Sequence, residues 1–124
     1  MKNKNSDASY KKLIVYQKSK VLAIDLIKFF SKKRLSNVLT FIVNQLLRAT
    51  TSIGANIAEG YGRYYQGNTY QFLSIARGSS YEADYWLEIV LEARILGEEE
   101  TLGFRERNIE ISKMLTGLMK KTSR

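Results

Sequence analysis

Between Lys11 and Lys33 the apolar residues step by three and four: Val15, Leu22, Leu26 and Phe29/Phe30, with Ser19 on the same line and Tyr16, Ala23 and Ile27 beside it. This spacing predicts an amphipathic helix over 11–33, whose other face carries Lys18, Lys20, Lys28 and Lys32. A second stripe, Leu39, Ile42/Val43, Leu46, Ala49/Thr50, Ile53 and Ile57, advances by nearly a heptad and predicts a helix over 37–60. Ser36-Asn37 offers a capping residue for it. Gly60 and Gly62 are the expected stop, because glycine takes the left-handed terminating conformation without strain. An exposed loop over 61–68 follows. A third helix is predicted over 69–96, with Phe72, Ile75/Ala76, Ser79, Ala83, Trp86, Ile89/Val90 and Ala93 inward and Gly97 at its end. The last helix is expected over 99–121, with Leu102, Ile109, Leu115 and Leu118/Met119 inward. Its ends suit the macrodipole, with Glu98, Glu99 and Glu100 at the start and Lys120, Lys121 and Arg124 at the finish.

Four helices joined by short links imply one all-α domain, an antiparallel up-down-up-down bundle over 11–122 behind a flexible basic tail at 1–10. A chain of 124 residues is the right length for that, and it contains no proline to break a helix. The middles of the second and third helices, Ala49 to Ala58 and Ala76 to Ala83, are rich in small residues. These two helices are therefore expected to lie closest together.

Beside its apolar stripe the second helix carries Gln45, Arg48, Ser52, Asn56 and Glu59, mostly three or four apart and so on one face. Arg77 and Glu82 sit on the helix expected to pack against it. Two readings stand for these seven residues: a ligand or nucleic-acid site, or a polar network that fixes helix register or an oligomer interface.

The residues of this region resemble a known family. Gln45-Leu46-Leu47-Arg48-Ala49, Ser52-Ile53, Asn56-Ile57-Ala58-Glu59-Gly60 and Gly62-Arg63 form one block. Phe72-Leu73-Ser74-Ile75-Ala76-Arg77-Gly78-Ser79, with Glu82, forms a second, and Leu13-Ile14-Val15-Tyr16-Gln17-Lys18 a weaker third. In these blocks the chain is similar to the 23S rRNA intervening-sequence proteins. The resemblance implies a four-helix bundle that assembles as a homo-oligomeric ring, with a pentamer expected. It implies no defined molecular activity. The family is also similar to the accessory proteins of diversity-generating retroelements, basic pentamers that bind nucleic acid and a reverse transcriptase, so RNA, DNA or a co-encoded protein are the partners to expect. Two departures stand out. Gly54 occupies a position where the family usually shows proline, so a local irregularity is expected there. Ser80 and Ala83 stand where larger aliphatics are typical, with Tyr85 and Trp86 expected to fill the volume.

Charge adds one element. Residues 1–34 hold ten Lys/Arg against Asp7 and Asp25, residues 35–96 hold four against five acids, and residues 97–124 hold six against five. The whole excess of +8 therefore belongs to the first segment. Lys11, Lys12, Lys18, Lys20, Lys28, Lys32, Lys33 and Arg34 are the candidate nucleic-acid contacts, since clustered cations gain affinity for polyanions by releasing counterions. Arg63, among Tyr61, Tyr64 and Tyr65, is a further candidate, although the same segment reads better as a capping turn with tyrosines against a neighbouring subunit.

Histidine and cysteine are both absent. Disulfides, Cys/His zinc sites, thiol nucleophiles and Ser-His catalysis are thereby excluded. A di-metal carboxylate bundle would need Glu-x-x-His motifs, so neither metal nor cofactor is expected. No apolar run reaches the roughly 18–20 residues of a membrane span, and no signal-like segment leads the chain, so no membrane and a cytoplasmic location are expected. The expectation is a non-enzymatic, nucleic-acid-associated bundle, with a pure protein-interaction module as the alternative.

Overall fold

A computed structural model describes residues 9–62 and 66–122. A 3-10 turn, Ser9–Lys12, leads into four α-helices: α1 Ile14–Ser31, α2 Asn37–Gly62, α3 Gln66–Glu92 and α4 Glu98–Thr122. No strand is present among the described residues. The helix contacts run α1–α2, α2–α3, α3–α4 and α4–α1, with no diagonal pair among the described residues in contact. The bundle is therefore a closed square around one core. Val15, Leu22 and Leu26 of α1, Leu46, Ile53 and Ile57 of α2, Leu73 and Leu87 of α3, and Ile111 and Leu115 of α4 belong to one buried cluster.

The α2–α3 contact is the most extensive of the four. Small residues make it so. A Cβ added to Gly60 would lie 2.7 Å from the Phe72 Cβ, closer than carbon atoms pack, and 3.4 Å from the Thr69 carbonyl oxygen. The Thr69 hydroxyl also donates to the Gly60 carbonyl at 3.0 Å. Gly60 thus serves close approach and not helix termination. No glycine among the described residues has a positive φ, and α2 runs on to Gly62. Tyr61, expected in an exposed loop, belongs to the helix and packs against the core, and that burial pushes its phenol pKa up.

Other boundaries move for local reasons. The first helix is divided, because the Leu13 amide donates to the Tyr10 carbonyl at 3.0 Å and closes a separate turn before α1. Ser36 does cap α2, its hydroxyl accepting from the Leu39 amide at 3.3 Å. α3 ends four residues early and without glycine. Arg94 takes the left-handed conformation, φ 58°, while the amides of Arg94 and Ile95 donate to the carbonyls of Leu91 and Val90. This is the Schellman arrangement, with arginine where glycine is usual. α2 passes through Gly54 without the expected irregularity.

The inward faces of α1 and α2 are as the pattern predicts, but those of α3 and α4 are turned. α3 buries Leu73, Ala76, Ser80, Ala83, Leu87 and Val90. Ile75 is half exposed, Ala93 lies exposed beyond the helix, and Phe72, Ser79 and Trp86 are only partly buried. α4 buries Thr101, Asn108, Ile111, Leu115 and Met119, and leaves the expected Leu102 and Ile109 exposed. A polar pair inside the core joins these two turned faces. Ser80 Oγ donates to Asn108 Oδ1 at 2.9 Å, and Asn108 Nδ2 donates to the Ser80 carbonyl at 2.8 Å.

Two glycine substitutions in α2 should therefore act in opposite directions. Gly60→Ala is expected to cost about 1–3 kcal/mol by forcing α2 and α3 apart. At Gly54 a new Cβ would meet Ser19 Cβ at an ordinary 3.8 Å, so Gly54→Ala should gain about 0.4–1 kcal/mol. Urea unfolding of both variants measures this.

Candidate functional site

Five of the seven polar candidates converge on the α2–α3 seam. Arg48 Nη2 donates to Glu82 and, at 3.0 Å, to Gln45 Oε1. Trp86 Nε1 donates to the same Glu82 oxygen at 3.2 Å. One turn along, the hydroxyls of Ser52 and Ser79 share a bond at 2.8 Å. Asn56 Nδ2 donates to the Ser52 carbonyl at 2.8 Å and to its hydroxyl at 3.0 Å. Close helix approach places these short side chains within reach of one another. The seam is a half-exposed strip, since the Arg48 and Glu82 side chains are 58% and 37% exposed.

Two candidates lie elsewhere. Arg77 turns to the other side of α3, where it donates to Thr116 Oγ1 of α4 at 3.0 Å and lies over the Tyr81 ring. Glu59 is exposed one turn beyond Asn56.

Three polar clusters escaped the sequence reading. Arg105 of α4 bonds Asp84 at 2.7 Å and Glu88 at 3.3 Å on α3, and its hydrogen bond to Asp84 raises its already high pKa. Arg107 bonds Asp25 of α1 at 2.9 Å. The Ser80–Asn108 pair is the third. Its signal lay in two heptads, Leu73-Ser80-Leu87 and Thr101-Asn108-Leu115, each with a polar residue at a core position. Every buried side-chain nitrogen and oxygen among the described residues has a hydrogen-bond partner.

The basic candidates Lys11, Lys12, Lys18, Lys20, Lys28, Lys32, Lys33 and Arg34 are all exposed. Lys18 approaches Glu110 at 3.4 Å, and Lys33 lies over the Phe29 ring. The one acid of α1, Asp25, is held by Arg107, so it does not neutralise the lysines of its own helix. Arg63, Tyr64 and Tyr65 lie outside the described residues. Among the described residues no three acidic side chains gather where a metal ion could be held. No helix among them is long and apolar enough to cross a membrane.

Residues 11–117 match the model of the 23S rRNA-intervening sequence protein family. The chain belongs to this family. Its fold is also similar to a crystal structure from Bacteroides thetaiotaomicron, a protein of unknown function from the S23 ribosomal protein family. The TM-score is 0.77 at 26% identity, covering 86% of this chain and 99% of that one. No curated protein matches the sequence.

Against the family pattern, the departure at Ser80 gains its meaning from α4. The hydroxyl that stands for an aliphatic side chain is matched by Asn108, and Ala83 packs directly in the core. Trp86 is partly buried and packs against the core, whereas Tyr85 is half exposed. They stand on the outer seam, edge-on to each other, with Phe41 against Trp86.

The exposed and buried polar pairs should differ in worth. Arg48→Ala and Glu82→Gln are each expected to cost no more than about 1 kcal/mol, because water screens the pair. Asn108→Ala removes the side-chain partner of the Ser80 hydroxyl, leaving it the backbone carbonyl of residue 108 at 3.4 Å, and should cost about 1–2 kcal/mol, with part of it recovered in Ser80→Ala/Asn108→Leu. A double-mutant cycle by thermal unfolding reads both couplings.

Proposed function

We propose that this member of the 23S rRNA-intervening sequence protein family is a non-enzymatic homo-oligomer that binds RNA or DNA electrostatically, without reading sequence. The observation that carries the reading is the exposed basic set on and around α1, none of it offset by the acid of that helix. The match to a family named for sequences within 23S rRNA supports an RNA connection. A ring, expected to be a pentamer, would repeat one subunit's modest patch around an axis. One polyanion spanning several copies would then bind far more tightly than a single contact allows.

Self-association is supported by the aromatic group on the α2–α3 seam. Phe41 and Tyr85 are 56% and 53% exposed and flank Trp86 beside Arg48. Tryptophan, tyrosine and arginine are the residue types that dominate binding energy at protein interfaces. The same group favours the second reading, a scaffold whose partner is itself or a co-encoded protein.

A salt titration separates the two. Fluorescence anisotropy with labelled RNA and DNA oligonucleotides should give log Kd rising linearly with log salt, with similar affinity across sequences. A flat plot, or no binding at low salt, overturns the nucleic-acid reading in favour of the scaffold. Light scattering should report a particle several times the chain mass, and a monomer overturns the ring.

A further inference from the structure

The basic set does not act as one surface, because the pairing of α1 with α4 gives its two ends opposite surroundings. Three contacts fix the register. The Phe29 and Phe104 rings meet at 5.4 Å, Asp25 bonds Arg107, and Lys18 approaches Glu110. Lys32 and Lys33 directly follow the end of α1, and that end packs beside the start of α4, whose first turn carries Glu98, Glu99 and Glu100. At the other end like charges come together: Lys12 and Lys121 line the same groove.

A count of each end makes the contrast plain. Segments 28–44 and 88–104 contain Lys28, Lys32, Lys33, Arg34 and Arg94 against Glu88, Glu92, Glu98, Glu99 and Glu100. At the other end, segments 9–18, 55–62, 66–73 and 110–122 contain Lys11, Lys12, Lys18, Lys113, Lys120 and Lys121 against Glu59 and Glu110. Charges within a Debye length, roughly 8–10 Å at physiological salt, cancel for an approaching polyanion. The first end is self-neutralised, and the second keeps its positive field.

We infer that nucleic-acid phosphates are bound at the end of the bundle where α1 begins and α4 finishes, on the rims of the groove between Lys12 and Lys121. This localises the electrostatic binding proposed above and rests on it. The groove holds about 510 Å³. Leu13, Val15, Met114 and Leu118 line it against the core, and Gly117 leaves it open, with no atom within 4 Å of where a Cβ would stand. Lysines on both rims contact phosphates on either side of a strand lying along the groove. Lys28 and Lys32, although prominent in the sequence, contribute little. Lys121 lies outside the segment that carries the sequence-level charge excess, and only the fold brings it to the site.

Two variants with the same change in net charge test this. Lys12→Glu/Lys121→Glu should weaken binding of a labelled single-stranded RNA by roughly tenfold or more at low salt. It should also lower the slope of log Kd against log salt by about two. Lys28→Glu/Lys32→Glu should change Kd by less than about threefold, since its surroundings already cancel. Lys12→Gln/Lys121→Gln, which places no acid at the C-terminal end of α4, should show a smaller loss in the same direction. Circular dichroism confirms that each variant keeps its helices. Equal losses in the two Glu variants, or a larger loss in Lys28→Glu/Lys32→Glu, overturn the localisation while leaving nucleic-acid binding intact. Absence of binding by the unmodified protein overturns both. Loss of binding to phosphatidylserine vesicles with unchanged RNA affinity in Lys12→Glu/Lys121→Glu assigns the groove to a lipid surface and overturns the inference.

Discussion

The close contact of α2 with α3 is the constraint on which the rest of the molecule depends. Where Gly60 faces Phe72, the two backbones approach as nearly as a missing Cβ allows. Higher along the seam, Ala49 and Ala76 are fully buried, and Ser52 and Ser79 are near enough to share a hydrogen bond. Short polar side chains reach across an interface only when the helices are this near. The strip from Gln45 to Asn56 with Glu82 follows from the packing and does not cause it, because an exposed ion pair contributes too little to hold two helices. With that pair fixed, α1 and α4 close the square and bury the leucines and isoleucines that stabilise the domain.

The bundle also redistributes what the chain carries. Read linearly, the positive charge belongs to the first 34 residues. Folded, the end of α1 packs beside the start of α4, which carries three glutamates, while Lys12 shares a groove with Lys121 from the basic finish of α4. Acids at a helix start and bases at its finish are favoured by the macrodipole. Local stabilisation of α4 and the polarity of the whole molecule therefore come from the same residues.

Legibility varied with how cleanly each helix separates polar from apolar positions. α1 and α2 do so, and their buried residues were evident from spacing alone. α3 carries apolar residues around most of its circumference, among them Phe72, Ile75, Tyr81, Tyr85 and Trp86. A reader following the larger side chains selects a stripe rotated from the true one. In α4 the misreading comes from buried polar residues, since Thr101 and Asn108 both look like surface residues until the core is placed around them, with Ser80 opposite Asn108. Gly60 was visible as special but ambiguous in purpose, since a stop and a close approach both favour glycine. Arg94 gave no signal, as its left-handed conformation departs from the usual residue preference. Of the candidate site, the Arg48–Glu82 seam was readable as helical spacing. The partners Trp86 and Ser79 needed coordinates.

The Ser80–Asn108 clasp also bears on how the bundle avoids assembling incorrectly. Aliphatic side chains are interchangeable enough that α4 could slide by a heptad along α3 and still bury leucine against leucine. A carboxamide has no such tolerance. Slid by seven residues, Asn108 would lie opposite Leu73 or Leu87, where a backbone carbonyl could still accept from its nitrogen but no hydroxyl would donate to its oxygen, left in hydrocarbon. One amide and one hydroxyl thus act as a proofreading device for the register of α4, accepting one alignment and penalising its neighbours.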